Sequence, residues 1–354
     1  MTKVLLLQGL VPSYRVPIFN LLAKQVDLTV VYSYGEEPQN AEFKFVKVPV
    51  VRLHYKIHKK NIIKMARQYD VVICMLDYSY LYFRLLNKIP RKFKLIFWGI
   101  GVSASYEQRY DEDQTNVNFM LKLIKNSDAT VFYSDYPKDK YSKLGADNNK
   151  MFVANNTVKV DTELPDRTYD KVIFIGSLYK QKRVDILIDE YKKAYDKNND
   201  IPGLLIIGDG DQKQIIEKMV KDYALGEKVE LLGSITDDTI IKHYFAQSIA
   251  CISPDQAGLS VLKSMGYGVP FITYKNAITG GEIFNIKDGQ NGVLLNSLED
   301  ISNILCDIAI NKEKYIKYGD RAYAFYWENR KPEQMVSGFI DSVNYVLNMR
   351  EETI

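Results

Sequence analysis

The sequence predicts an α/β fold built on mainly parallel sheets, and three observations carry that reading. Short apolar runs rich in β-branched and aromatic residues alternate with amphipathic stretches. The runs are continuous instead of alternating apolar with polar, as strands covered on both faces are. The alternation then starts afresh after Lys171, so two such domains follow one another within 354 residues.

In the first half, Val4–Leu7, Leu28–Tyr32, Val71–Met75, Leu95–Trp98 and Ala129–Tyr133 read as strands. Helical patterns fall between them at Val16–Lys24, Ile62–Gln68, Tyr80–Leu86 and Phe119–Lys125. In the second half the expected strands are Lys171–Ile175, Gly203–Ile207, Val229–Leu232, Ala250–Ile252 and Phe271–Thr273. Their helices are Val184–Tyr195, Gln212–Tyr223, Asp238–Ala246 and Leu259–Tyr267. Residues 156–170 are polar, aperiodic and contain Pro165, and read as a linker. From Asp300 the pattern is helical, and Pro332 is placed to open a last helix. The expected division is a first domain at 1–155, the linker, a second domain at 171–331, and a terminal helix at 332–354 that crosses back to the first domain. Two facing doubly wound domains would bring together the carboxyl ends of their strands, where open α/β sheets bind ligands.

Composition excludes several classes. With 46% hydrophobic and 26% charged residues the chain is not a disordered one. A net charge of +3 is not that of a nucleic-acid-binding polycation. That balance hides two unlike halves: residues 1–155 hold 23 basic and 14 acidic residues, a net of +9, which leaves −6 for the remainder. Cys74, Cys251 and Cys306 are far apart and set among apolar residues, which suits free thiols in a reducing cytosol. The apolar run after Met1 is too short for a signal peptide, and no stretch reaches the roughly 20 apolar residues of a membrane span. A cytoplasmic protein is expected, with peripheral contact to the inner face of the membrane.

Four loops follow strands and carry the candidate chemistry. The first is Gly176-Ser177-Leu178-Tyr179-Lys180-Gln181-Lys182-Arg183, a glycine turn with a basic cluster before a helix. Its cations suit a phosphate, although a solvated basic loop has the same look. The second, Gly208-Asp209-Gly210-Asp211, is explained by turn chemistry and lacks the GxGxxG dinucleotide fingerprint. The third runs from Ser253 to Pro270, with Asp255 in the loop and Gly258-Leu259-Ser260 opening a helix whose first N–H groups suit an anion. The fourth is Thr279-Gly280-Gly281-Glu282-Ile283, followed by Asp288-Gly289-Gln290-Asn291-Gly292.

From about Lys171 to Leu295 these motifs resemble, in order and spacing, the retaining glycosyltransferases of family 4. Gly176-Ser177-Leu178…Lys182-Arg183 is similar to the family pattern Gly-Arg-Leu-(three residues)-Lys-Gly. Asp255…Lys263-Ser264-Met265-Gly266-Tyr267-Gly268-Val269-Pro270 resembles Glu-(seven residues)-Glu-Ala-Met-Ala-x-Gly-x-Pro. Gly280-Gly281-Glu282-Ile283…Asp288-Gly289-Gln290-Asn291-Gly292 resembles Gly-Gly-x-Pro-Glu…Asp-Gly-x-x-Gly. In the first half, Pro12 to Phe19, Phe97-Trp98-Gly99-Ile100-Gly101 and Asn155-Asn156-Thr157 look like a bacterial subgroup that builds surface polysaccharide. Three positions depart from the pattern. Ser177 stands for the phosphate-binding Arg, Asp255 for the first Glu and Lys263 for the second.

The resemblance implies a GT-B fold and a hexosyltransferase-type enzyme of class EC 2.4 acting with retention in capsule, O-antigen or exopolysaccharide synthesis. Lys182, Arg183 and Asp255 would be its catalytic residues. The donor, a UDP- or GDP-sugar, would meet Gly176, Ser177, Gly208, Gly258, Leu259, Ser260, Lys263 and Glu282. The acceptor, a lipid-linked or other glycan, would meet Tyr14, Arg15, Trp98 and Gly99. No metal or other cofactor and no nucleic acid is expected. The dense basic and aromatic stretch Arg52–Lys60, continued by Lys64, Arg67, Arg84, Lys88, Arg91, Lys92 and Lys94, suits an anionic membrane surface or plain solvation. His54 and His58 would share a face if helical, but two His amid cations make a poor zinc site. Glu107, Arg109, Asp111, Glu112 and Asp113 read as a solvated charged loop. Two other functions stay open. One is a catalytically degenerate binding or scaffold subunit. The other is a nucleotide-sugar epimerase, for which the second half offers only His243.

Overall fold

The structure is a computed structural model that describes residues 1–105, 108–161 and 165–351. Glu107 of the charged loop and Thr162, Glu163 and Leu164 of the expected linker lie outside the described residues. The chain forms two compact units. One comprises Met1–Ser103, Asp113–Lys159 and the segment from Arg330 onward; the other comprises Ala104–Glu112 and Val160–Asn329.

The first unit is a seven-stranded, wholly parallel sheet. Its strands are β1 (Lys3–Leu7), β2 (Asp27–Tyr32), β3 (Lys44–Lys47), β6 (Val71–Met75), β7 (Lys94–Gly99), β8 (Ala129–Phe132) and β9 (Met151–Val153). Between β3 and β6 lies an antiparallel hairpin, β4 (Val50–Arg52) and β5 (Lys56–His58). The sheet order is β3-β2-β1-β6-β7-β8-β9, so the winding reverses between β1 and β6. Helices α1 (Val16–Ala23), α2 (Ile62–Ala66), α3 (Leu81–Leu86), α4 (Val117–Asn126) and α5 (Asp135–Lys143) supply the crossovers. Each sheet face carries its own apolar cluster, which explains the continuous runs of β1 and β6.

The second unit is a six-stranded parallel sheet in the order β12-β11-β10-β13-β15-β17. Here β10 is Lys171–Ile175, β11 Gly203–Ile207, β12 Val229–Gly233, β13 Ser248–Ile252, β15 Phe271–Tyr274 and β17 Gly292–Leu295. A second small ladder pairs β14 (Gln256–Ala257) with β16 (Ile278–Thr279). The helices are α6 (Val184–Lys197), α7 (Lys213–Asp222), α8 (Asp238–Gln247), α9 (Ser260–Gly266), α10 (Asp300–Ile310) and α11 (Lys312–Asn329). The winding reverses between β10 and β13. The last helix, α12 (Pro332–Glu351), belongs to the first unit. There Met335, Val336, Phe339, Val343 and Val346 join the core around Phe19 and Trp98.

Several expectations change in detail. The Arg52–Lys60 stretch is a hairpin, not a helix, so His54 and His58 share no helical face. The sequence reading omits β3, β9, α5 and the hairpin, all short, at a sheet edge or largely polar on their outer faces. The third-loop helix starts at Ser260, one residue after Leu259 and two after Gly258, and has only seven residues.

Candidate functional site

Ligands of open α/β sheets bind beyond the strand ends where the winding reverses. In the second unit that is the end of β10 and β13, and three of the four motif loops meet there. Strand β10 leads into Gly176, whose φ of 151° suits glycine. The missing Cβ makes room: a methyl at Gly176 would stand 3.3 Å from the Lys182 ammonium nitrogen. The second loop locks the first, since Leu178 N donates to Asp209 O at 2.8 Å and Gln212 N to Leu178 O at 2.9 Å. A Cβ on Gly208 would lie 1.9 Å from the Gly176 carbonyl oxygen, so the glycine at 208 is needed for this packing of loops.

Lys182 ends a short 3-10 turn (Lys180–Lys182) and is 7% exposed. Burial pulls its pKa down to about 8, and the nearby Cys251 and Glu282 only partly offset that. Its ammonium lies 5.9 Å from the Tyr179 ring centroid. None of the salt bridges among the described residues includes it. Tyr179 in turn donates to Gln256 Oε1 at 2.9 Å, which joins the first loop to the third. A buried lysine with a lowered pKa at a strand end is what a site for an anion needs, and it is costly to keep without one.

Arg183 takes the left-handed conformation, φ 53° and ψ 40°, a backbone state that disfavours any residue with a Cβ. The Arg183 side chain turns to Asp185, with Nε 3.3 Å from its carboxylate.

The third loop places Asp255 between β13 and β14. Its side chain is 13% exposed and is gripped by Arg109, with Nη1 2.8 Å from Oδ1 and Nη2 3.4 Å from Oδ2. Arg109 also donates to the Asn276 carbonyl and lies over the Tyr274 ring. Tyr110 packs edge-on against Phe284 at 5.2 Å. The Ala104–Glu112 segment thus straps onto the second unit, although it sits in sequence between β7 and α4. Sequence reading missed this, because Arg109 and Asp255 are 146 positions apart.

Ser260, at the start of α9, has a buried hydroxyl with no partner among the described residues. Lys263 places its Nζ 2.5 Å from Asp238, which ties α9 to α8. The fourth loop is built on Thr279, whose hydroxyl donates to Ala257 O at 2.7 Å and accepts from Gly281 N and Ile283 N. Glu282 is 5% exposed and accepts from Gly280 N at 2.9 Å. Its charge acts on Lys182 from within the loop.

The residues expected on the acceptor side are mostly structural. Tyr14 is 36% exposed. Arg15 is 3% exposed, stacks on Tyr14, Trp98 and Tyr133, and donates to Asn156 Oδ1 at 2.6 Å. Trp98 is 1% exposed and packs on Phe19 and Phe339. A Cβ on Gly99 would meet that of Leu76 at 2.9 Å. Arg15, Trp98 and Gly99 therefore hold α12 and β7 in place. Among the described residues no group of three or more His, Cys, Asp or Glu is placed to hold a metal ion, and no helix is long and apolar enough to cross a membrane.

Residues 158–325 match the family model described as Glycosyl transferases group 1. An uncharacterized glycosyltransferase of Methanocaldococcus jannaschii is 23% identical over 343 residues, 90% of this chain and 78% of that protein. The poly(ribitol-phosphate) alpha-N-acetylglucosaminyltransferase of Staphylococcus aureus is 23% identical over 201 residues. That match covers 56% of this chain and only 40% of the relative. A further Methanocaldococcus glycosyltransferase, 28% identical over 124 residues, is spanned over 30% of its length. The crystal structure of Anabaena HepE in complex with UDP and glucose has a TM-score of 0.74 at 14% identity, covering 97% of this chain and 100% of that one. That of the lipopolysaccharide outer core galactosyltransferase WaaB has a TM-score of 0.66 at 16% identity, covering 96% and 99%. These likenesses establish a shared fold of two Rossmann-like domains with mainly parallel sheets. Residues 158–325 are thus similar to a group 1 glycosyltransferase domain.

Proposed function

We propose that the chain moves a glycosyl group from a nucleotide-sugar donor, held by the second unit, to a glycan acceptor, held by the first. The supporting observation is the buried Lys182 beside Glu282 and Cys251 at the β10–β13 strand ends, within the matched domain. In this reading Lys182 and the Ser260 hydroxyl meet the donor diphosphate, and Asp255 meets the sugar hydroxyls. The bond from the anomeric carbon to the diphosphate oxygen breaks, and the acceptor oxygen bonds to the same face, giving retention. The acceptor hydroxyl proton passes to the departing phosphate. The chain's own task is to stabilise the leaving charge from fixed positions. Lys182 supplies positive charge there, and the reading assigns no resident metal. The chemistry suits the assembly of surface polysaccharide on a lipid-linked acceptor.

A panel of UDP- and GDP-sugars tests the donor half. One nucleotide at about 100 times its Kd should raise stability by roughly 2.7 kcal/mol, seen as a shift in Tm. Product analysis with glycan and lipid-linked acceptors then reads transfer. No stabilisation by any nucleotide sinks the proposal. Nucleotide binding with no transfer to any acceptor favours the degenerate subunit, a reading that Ser177 and Lys263 keep alive.

Membrane docking of the first unit is part of the same proposal. The β4–β5 hairpin exposes Val51 (45%) and Leu53 (71%) beside Arg52, with Lys59 and Lys60 just beyond. The wider patch is narrower than the sequence suggests. Arg91 and Lys94 pair with Asp128, and Arg84 lies over Tyr55 and Phe119. The protein should sediment with vesicles containing anionic lipid and be released by high salt. At about 1 kcal/mol per charge, Lys59→Ala with Lys60→Ala should weaken that binding by roughly 30-fold. Binding that ignores lipid charge removes the docking idea.

A further inference from the structure

The first unit has its own winding reversal, between β1 and β6, and a small apolar pocket lies at those strand ends. Leu7 comes from β1, and Cys74 and Met75 from β6. Tyr82 and Phe83 close it with α3, and His58 enters from the β4–β5 hairpin. The hairpin is fixed there: Lys56 N donates to Ser79 O at 2.8 Å, and the Lys56 ammonium pairs with Asp77 at 3.2 Å.

His58 is 9% exposed and stacks on Tyr80, with ring centroids 5.3 Å apart. Its Nε2 is 3.3 Å from Ser33 Oγ. Its Nδ1 is buried and has no partner among the described residues. Burial pulls the ring's pKa down to about 4, so the ring is neutral near pH 7. A neutral imidazole has one N–H and one lone pair, and its tautomer decides which of them Nδ1 carries. His58 is one of the residues lining the pocket, so apolar walls and an imidazole with an unpaired nitrogen occur together there.

We propose that this pocket seats the acetamido group of a 2-acetamido-2-deoxy sugar in the acceptor, an assignment that rests on the transferase reading. The acetyl methyl fills the apolar walls. The amide N–H or carbonyl oxygen satisfies Nδ1, whichever tautomer is present. A plain hydroxyl reaches the nitrogen but leaves the walls to water. The methyl of a 6-deoxy sugar fills the walls but leaves the nitrogen unpaired, which is the costlier failure.

The test uses the full chain without nucleotide. Ligand-observed NMR titrations compare the methyl glycosides of N-acetylglucosamine, N-acetylgalactosamine, glucose and fucose. One acetamido glycoside should bind at least tenfold more tightly than glucose and fucose, with its acetyl methyl the most saturated signal. His58→Phe removes the nitrogen and Cys74→Leu fills the seat, and each should erase that preference while the Tm shows a folded protein. Equal affinities overturn the proposal, as does a preference that survives both variants or an absence of binding to every glycoside. A protein that binds a nucleotide but ignores the acetyl group sinks the pocket assignment alone. Acetamido binding without nucleotide recognition sinks the transferase reading alone.

Discussion

Lys182→Met should lower kcat/KM by about 10²–10³-fold, the usual loss when one preorganised group facing developing charge is removed. The same variant should be more stable than the parent without donor. Met fills a similar volume and removes a buried ammonium. The pKa of about 8, against an ordinary 10.5, sets the scale. At 1.36 kcal/mol per unit that is roughly 3 kcal/mol of upper limit. The sign follows from proton counting. Between about pH 8 and 10.5 the unfolded chain holds the proton and the folded chain does not, so stability rises with pH across that window and is level below it. The variant should lose that slope. In the parent, nucleotide affinity should fall as pH climbs past about 8, because the neutral amine attracts the diphosphate poorly. Thermal melts and nucleotide titrations at several pH values check both halves. A variant that is less stable and equally active would remove Lys182 from the site.

Breaking the Arg109–Asp255 pair should cost about 10- to 100-fold in kcat/KM, the worth of a hydrogen bond to a charged group. Asp255→Ala removes the carboxylate proposed to meet the sugar. Arg109→Ala leaves that carboxylate without the two guanidinium contacts that aim it. The two residues should act as one unit, so the double variant should lose little more than either single variant. The strap has a separate readout. Either variant should speed proteolytic cutting within residues 104–112, since Arg109 no longer holds the segment on the second unit. Fully additive losses in the double-mutant cycle, with unchanged cutting, would make the pair an incidental surface contact.

The sheets were legible because parallel strands buried on both faces leave continuous apolar runs. Val71–Met75, Lys171–Ile175 and Gly203–Ile207 match their expected limits for that reason. The edge strand Lys44–Lys47 was not, since it is only half covered and its Lys residues interrupt the run. Helix α5 was missed because DYPKDKYSK buries only Pro137 and Tyr141. In the site, order along the chain was enough to find the loops with Lys182, Asp255 and Glu282. It did not show where side chains turn. Arg183 and Lys263 carry the right charge for a phosphate or a ribose, and each pairs with a nearby aspartate that the sequence does not single out. Arg15 and Trp98 lie in a motif-like run, and the core claims both. Arg109 was read as a solvated charge because nothing local announces a partner so distant in sequence.

Helix α12 has a consequence for biosynthesis. Its Met335, Val336, Phe339 and Val343 complete a core whose other members are made first, among them Phe19 and Trp98. On the ribosome the opening half of the chain waits, with part of its apolar surface uncovered, until the whole second unit has been made. The half translated first is thus the half finished last. A fragment ending near residue 159 should need a holding chaperone, and adding the α12 peptide in trans should relieve that need.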